Sequence, residues 1–205
     1  IGSLALNANT TGAHSTAVGG SSLAAQTTGH ENVAIGKQAM NANTTGEYTV
    51  GIGVEALKQM TTGSANVAVG YYSLYALTTG TGNVAAGVQS GDSVTEGIDN
   101  TLIGDHAGHK VTTGDNNVII GHNAGTDAVR DVTTGDSNIV IGNNSSATAH
   151  IKIDWTVTSD ERDKMNFEEV PHGLDFVNQM KPVSFVFKKS RENATPHGPQ
   201  KYGFK

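Results

Sequence analysis

The chain has no cysteine, only four prolines, a single tryptophan and no run of 18 apolar residues. Without cysteine there is neither a disulfide nor a thiolate metal site, and the compartment is left open. Without a long apolar run no membrane-spanning helix is expected, and no membrane insertion. No signal-peptide pattern is present. Basic charge is scarce too: a net charge of −6 gives no electrostatic footprint for nucleic acid. The chain opens on Ile1 rather than Met and is read as a fragment or processed product.

What is present is divided unevenly. Residues 1–150 hold 23 of the 26 glycines, no Pro, Phe or Trp, and 4 basic against 11 acidic side chains. Residues 151–205 hold every Pro and Phe, the Trp, and 9 basic against 8 acidic side chains. Two domains are therefore expected, 1–150 and 151–205, with a boundary near 150–158.

The first part is a repeat. Gly12, Gly29, Gly46, Gly63, Gly80, Gly97 and Gly114 follow one another at intervals of 17, and Gly135 comes 21 later. All but Gly97 close a "TTG", and a second glycine follows each by seven. Between the two stand "NVAIG", "NVAVG", "NVAAG", "NTLIG", "NVIIG" and "NIVIG". A fixed short period means stacked coils, none of which buries its apolar face alone. Each "VAI" suits a short strand, with Val33 and Ile35 on one side and Ala34 on the other. The glycines are read as turn residues tolerating positive φ. Asn32, Asn66, Asn83, Asn100, Asn117 and Asn138 share a column with Ser15 and Thr49. They read as a structural ladder, the alternative being a polar ligand-binding row.

A second apolar column, Leu23, Met40, Leu57 and Leu74, becomes Gly91 and Gly108 later, so the cross-section is expected to change there. Three readings of that column stay open: the second face of the coil, a short helical turn, or an intersubunit contact. The four extra residues before Gly135 read as a loop bulging from one rung. With so few large apolar groups the core would be thin, so association into a homotrimer is expected. The fold class is thus mainly β: a 17-residue-repeat β-solenoid or β-roll fibre, followed by a small α+β C-terminal segment.

His106, His109 and His122 cluster in adjacent rungs and read as a solvated polar edge. Axial metal ligation about a threefold axis is the alternative. No H-x-H or HExxH spacing occurs, so no metal and no cofactor is expected. Acidic residues hold no repeated column of the kind a depolymerase's carboxylate pair would need. Glu31, Glu47 and Glu55 read as coil edges.

After the repeats, "IKIDWTV" and "KPVSFVFKK" alternate as strands, the latter with Val183, Phe185 and Phe187 on one side. "GLDFVNQM" has helical spacing, and "SRENATPHGPQ" reads as a loop leading to a strand at "YGF". Taken alone, "SDERDK" is a helix N-terminus with Ser159 as N-cap and acidic residues in the first turn. The order "SDERDK", "MKPVSFVFK", "KYGF" resembles the intramolecular chaperone domain of phage tail spikes and endosialidases, the S74 peptidase family, over about 155–204. The repeats look like those of phage fibres and, more loosely, trimeric adhesin heads.

That resemblance implies a homotrimeric tail-fibre protein of the virion, with other fibre proteins and a host cell-surface receptor, glycan among the candidates, as partners. It implies a catalytic pair, Ser159 and Lys164, with Asp160 and Arg162 supporting, and a cut between Thr158 and Ser159. The reaction would be a single-turnover self-cleavage, not that of a turnover enzyme. The alternatives are a trimeric bacterial adhesin head and a glycan-binding solenoid without self-cleavage.

Overall fold

The computed structural model describes residues 1–126 and 132–147, and the backbone of Pro182–Lys188 and Pro196–Phe204. The chain divides into two compact units, Ile1–His150 and Ile151–Lys205.

In the first unit every coil contributes one three-residue strand. They are β1 (Thr16–Val18), β2 (Val33–Ile35), β3 (Val50–Ile52), β4 (Val67–Val69), β5 (Val84–Ala86), β6 (Thr101–Ile103), β7 (Val118–Ile120) and β8 (Ile139–Ile141). They stack in chain order into one parallel sheet. Register is kept at 17 residues, as in Val33↔Val50, and at 21 in Val118↔Ile139. The sheet therefore continues unbroken across the four extra residues; the anticipated loop at 127–131 itself lies outside the described residues.

The remaining sides of the coil stack by the same rule. Leu57 N–H donates to Ser73 O at 3.0 Å and Thr61 N–H to Thr78 O at 2.9 Å. The first threonine of each "TTG" adds a side-chain bond. Thr44 Oγ1 donates to Thr61 O at 3.0 Å and Thr78 Oγ1 to Thr95 O at 3.0 Å. These threonines form a second ladder along the axis.

The glycines are required by approach as much as by conformation. Gly53 has φ +140°, and a Cβ there would stand 2.2 Å from Gly70 O in the next coil. Gly63, in the "TTG" column, is not in the left-handed region; a Cβ would meet Gly80 O at 2.4 Å. Reading that column as positive-φ turns is therefore corrected: coil-to-coil contact, not φ, excludes a side chain.

The asparagine column forms a ladder. Asn100 Nδ2 donates to Asn83 Oδ1 at 3.0 Å and to Gly114 O at 2.9 Å. Its own Oδ1 accepts from Asn117 N and Asn117 Nδ2, both at 3.0 Å. Each buried amide in the run thus uses both donors and its acceptor. No buried side-chain nitrogen or oxygen among the described residues lacks a partner.

The core is built of three columns of side chains down the coil: the strand centres, the column that faces them, and a third that runs through Met60, Leu77, Val94, Val111 and Val132. The middle residue of each strand points inward, and it is small in the first coils: Ala17, Ala34, Gly51, Ala68 and Ala85. Facing it are Leu23, Met40, Leu57 and Leu74, all fully buried. That column is the second face of the coil, and it is not helical: Leu57 sits at φ +53° and Leu74 at φ +49°. Left-handed backbone costs a non-glycine residue roughly 1–2 kcal/mol, which full burial of leucine, worth about 1.5–3 kcal/mol, offsets.

From the fifth coil the arrangement inverts. Gly91, Gly108 and Gly125 take over the left-handed column, at φ +60°, +64° and +73°. The strand centres become Leu102 and Ile119, both fully buried. A Cβ on Gly91 would lie 2.4 Å from Leu102 Cδ1. The cross-section is therefore kept where a change was expected. The volume crosses from one wall to the other, and coil-to-coil bonds continue, as in Gly91 N–H to Ala107 O at 2.9 Å.

In the second unit, β9 (Pro182–Lys188) pairs antiparallel with β10 (Pro196–Phe204). The second strand begins at Pro196, earlier than the "YGF" anticipated. Its register shifts between His197 and Lys201, a stretch that holds Pro199, which has no N–H to give a ladder. The anticipated strand at 151–157, the helix at 173–180 and the side-chain faces of β9 lie outside the described residues.

Two stability predictions follow from this packing. Asn100→Ala leaves Gly114 O and Asn117 N without the Asn100 side chain and Asn83 Oδ1 with only the backbone N–H of residue 100, and is expected to lower unfolding free energy by about 2–4 kcal/mol in urea titration. Gly91→Leu and Leu102→Ala should each destabilise, the first by overpacking and the second by a cavity. Together they rebuild the Leu74–Ala85 arrangement one coil up. The double variant should be more stable than the sum of the singles by about 1–3 kcal/mol; strict additivity would refute the volume exchange.

Candidate functional site

Ser159, Lys164, Asp160, Arg162 and Thr158 lie outside the described residues. The structure brings together other groups, on the outer surface of the stack.

The first surface is the outward face of the parallel sheet. The first residue of all eight strands is β-branched, and so is the third in seven of them; only Ala86 differs. The third residues are exposed: Ile35 by 39%, Val69 by 41% and Ile141 by 65%. Seven rung spacings make this face about 34 Å long. A contiguous row of exposed branched apolar side chains is the kind of surface that interaction faces present. A parallel sheet apolar on both sides is ordinarily covered on both.

The second is the turn that follows each strand. Within one coil the residues two and five places after the second glycine lie side by side. In successive coils they are Glu55 with Lys58, Tyr72 with Tyr75, Gln89 with Asp92, and His106 with His109. Lys58 Nζ is 2.8 Å from Glu55 Oε2. Tyr72 and Tyr75 stack at 4.6 Å and 10°. Gln89 Nε2 donates to Asp92 Oδ2 at 3.2 Å. The rings of His106 and His109 meet edge-on at 5.6 Å.

The histidines are held by carboxylates. His109 Nδ1 is 2.5 Å from Asp92 Oδ1, and His106 Nδ1 is 2.7 Å from Asp105 Oδ1, with His122 Nε2 3.6 Å from the other oxygen of Asp105. Among the described residues no three His, Cys, Asp or Glu side chains are grouped so as to hold a metal ion.

In the sequence Tyr75 sits within an apolar stretch, "SLYAL", that does not single out the three tyrosines. The signal that separates them was present: Tyr71, Tyr72 and Tyr75 stand in columns that hold Val54, Glu55 and Lys58 one coil earlier. Tyr71 leans on Tyr72 at 4.3 Å, and Lys58 Nζ lies 5.7 Å from the centre of the Tyr75 ring. The Tyr72 phenol is pushed up to about 12, first by its hydrogen bond to Glu55, then by one to Tyr71. The Lys58 ammonium holds the Glu55 carboxyl below its usual range, and Glu55 in turn raises Lys58.

The sign for Tyr72 is that of a group whose folded value exceeds its unfolded 10.0. Its contribution to stability is complete below pH 10 and is lost as pH rises through about 12. In an ultraviolet phenolate titration one tyrosine should ionise near pH 12, and Glu55→Gln should bring it back toward 10. An unchanged titration in that variant would exclude the Tyr72–Glu55 bond.

No curated protein and no solved structure matches the chain. A family model does, over a stretch that begins at the serine of "SDERDK" and ends with the last residue of β10. Residues 159–204 match the peptidase S74 family, described as the chaperone of endosialidase.

Proposed function

We propose that this chain is the distal part of a homotrimeric phage tail fibre, a virion protein that attaches to the host surface. On this reading residues 1–150 are the shaft. Residues 151–205 are the start of an intramolecular chaperone that promotes trimer assembly and then cuts itself away. The observation that carries it is the chaperone-family match at 159–204 directly after a stack of coils whose outer sheet face is apolar and uncovered. A shaft with one apolar face too many and an assembly chaperone behind it make one coherent system: the chaperone brings three chains together and the sheet faces are buried between them.

The cut follows from the residues at the seam. A lysine amine acts as a base when burial or a neighbouring cation lowers its affinity for the proton. Lys164 would take the proton from Ser159 Oγ, and the oxygen would attack the carbonyl carbon of Thr158. The C–N bond to Ser159 breaks as Lys164 returns the proton to the leaving nitrogen, which leaves an ester between Thr158 and Ser159 Oγ. Water then hydrolyses the ester, giving a Thr158 carboxylate and a free Ser159 amine. Asp160 and Arg162 would shape the turn that brings the two together. If the lysine is desolvated only in the assembled trimer, cleavage reports completed assembly.

Two measurements test this. Light scattering should give three chain masses for the native protein. Ile52→Asp with Val69→Asp, both on the outer sheet face, should give folded single chains; a wild-type monomer would refute the fibre reading. Mass spectrometry of the expressed full-length protein should show a break at Thr158–Ser159, absent in Ser159→Ala and in Lys164→Ala. Processing of Ser159→Ala like the wild type would remove the self-cleavage assignment.

A further inference from the structure

A repeat protein separates what the fold needs from what it does not, because the same position is seen in every coil. The two glycine columns, the threonine column and the asparagine column are filled by the same or similar residues throughout, and the strand centre stays apolar and buried. The turn after the strand is different. Its backbone repeats: Glu55, Tyr72, Gln89 and His106 all lie between φ +50° and φ +58°. Its outward side chains vary widely in chemistry: the column of Glu55 also holds Ser21, Gln38, Tyr72, Gln89, His106 and Asn123. Constant geometry carrying variable chemistry is the character of a recognition surface, not of a packing one.

On that surface one coil stands out. Residues 1–150 contain four aromatic side chains besides histidine, and three of them, Tyr71, Tyr72 and Tyr75, fall within five residues. None is needed by the core: Ser73 and Leu74 between them point inward and are fully buried. The rings form a continuous pile, Tyr71 on Tyr72 and Tyr72 on Tyr75. The outermost ring, Tyr71, is 48% exposed. Beside the pile, one coil back, the Glu55 carboxylate and the Lys58 ammonium are locked in their ion pair, their side chains only 13% and 26% exposed. The corner is thus pre-organised: flat ring surface, fixed donors and acceptors at the rim, and charges that cancel.

We propose that the corner formed by Tyr71, Tyr72, Tyr75, Glu55 and Lys58 is a binding site for a neutral hexopyranose unit of a surface glycan. The chemistry of each part selects that class. A pyranose presents a face of C–H bonds, which lies on an aromatic ring, and a rim of hydroxyls, which both donate and accept. Tyr71 supplies the ring. Glu55 accepts and Lys58 donates, and tyrosine hydroxyls do both. An anionic sugar would meet Glu55 and a cationic ligand Lys58 without gain, since each is already neutralised by the other. The inference names the receptor class of the proposed fibre. It rests on that reading for where the glycan is met in nature, and not for the binding itself.

The test uses the full chain in its native assembly. Wild-type protein is applied to an array of immobilised neutral oligosaccharides carrying terminal glucose, galactose, mannose and N-acetylhexosamines. The oligosaccharides that bind are then titrated against Tyr71→Ala and Tyr71→Ala with Tyr75→Ala. Affinity should fall about tenfold for the first and further for the second, with melting temperature and light-scattering mass unchanged. In parallel, wild-type chain labelled with 3-fluorotyrosine is titrated with the same sugar, and the fluorine signal assigned to Tyr71 through Tyr71→Phe should shift. This second measurement needs no destabilising variant.

Binding to no sugar on the array, undiminished binding by the double variant, or an unmoved Tyr71 signal would each overturn the proposal. So would dissociation of the assembly in Tyr71→Ala, which would make the corner a contact between copies. A trimer that self-cleaves but ignores every sugar would sink this inference and leave the fibre reading standing. A monomer that binds sugar through Tyr71 would do the reverse.

Discussion

The distance between consecutive coils governs the rest of this structure. Backbone groups of one coil bond to those of the next around the whole perimeter, not in the strands alone. That holds neighbouring coils close enough for the carbonyl of one glycine to sit 2.2–2.4 Å from where the Cβ of Gly53 or Gly63 would be. No side chain can occupy those corners, so glycine recurs there in every coil. The asparagine and threonine ladders answer the same spacing, since a short polar side chain spans one rung and bonds to its own counterpart. The fold is held by repetition of one axial contact, and the interior adapts to it.

The interior shows how far adaptation goes. Early coils put leucine or methionine on a left-handed backbone and alanine or glycine on the facing strand. Later coils reverse the sizes and relieve the strained position with glycine. Both arrangements fill the same narrow lumen, because total volume rather than identity is constrained. Where two large side chains share a rung, as Leu57 with Met60 or Leu74 with Leu77, the strand centre opposite is small. The branched residues of the strand therefore turn outward, against the habit of sheets that face solvent, and the apolar excess lies on the surface, where a second copy can use it.

The period and the glycine and asparagine columns were legible because each is a local rule repeated eight times over. The strands were legible from the alternation in "NVAIG". The sequence did not disclose which strand face is interior, since alternation is symmetric and only the size of the lumen breaks the tie. The left-handed leucines were hidden because leucine ordinarily avoids that region. The exchange between Gly91 and Leu102 was half visible: the loss was plain in one column, while its compensation lay eleven residues away in another. The tyrosine corner escaped notice because apolar pattern-reading groups tyrosine with leucine, though one points out and the other in. Ser159 and Lys164 are proposed from the order of motifs around them, as residue types alone describe a helix cap equally well.

The interval of 21 residues between Asn117 and Asn138 has a use beyond description. Four additional residues enter that coil, and the amide of Asn138 still reaches Asn117 Oδ1 at 2.9 Å, while Val118 still pairs with Ile139. The axial contacts close around the insertion as though it were absent. The step from Thr126 to Val132 is therefore a port. Peptide added there would leave the axial register of the later coil in place, and the same opening in another rung would mark a different height. The stack works as a ruler with attachment points, graduated in units of one coil.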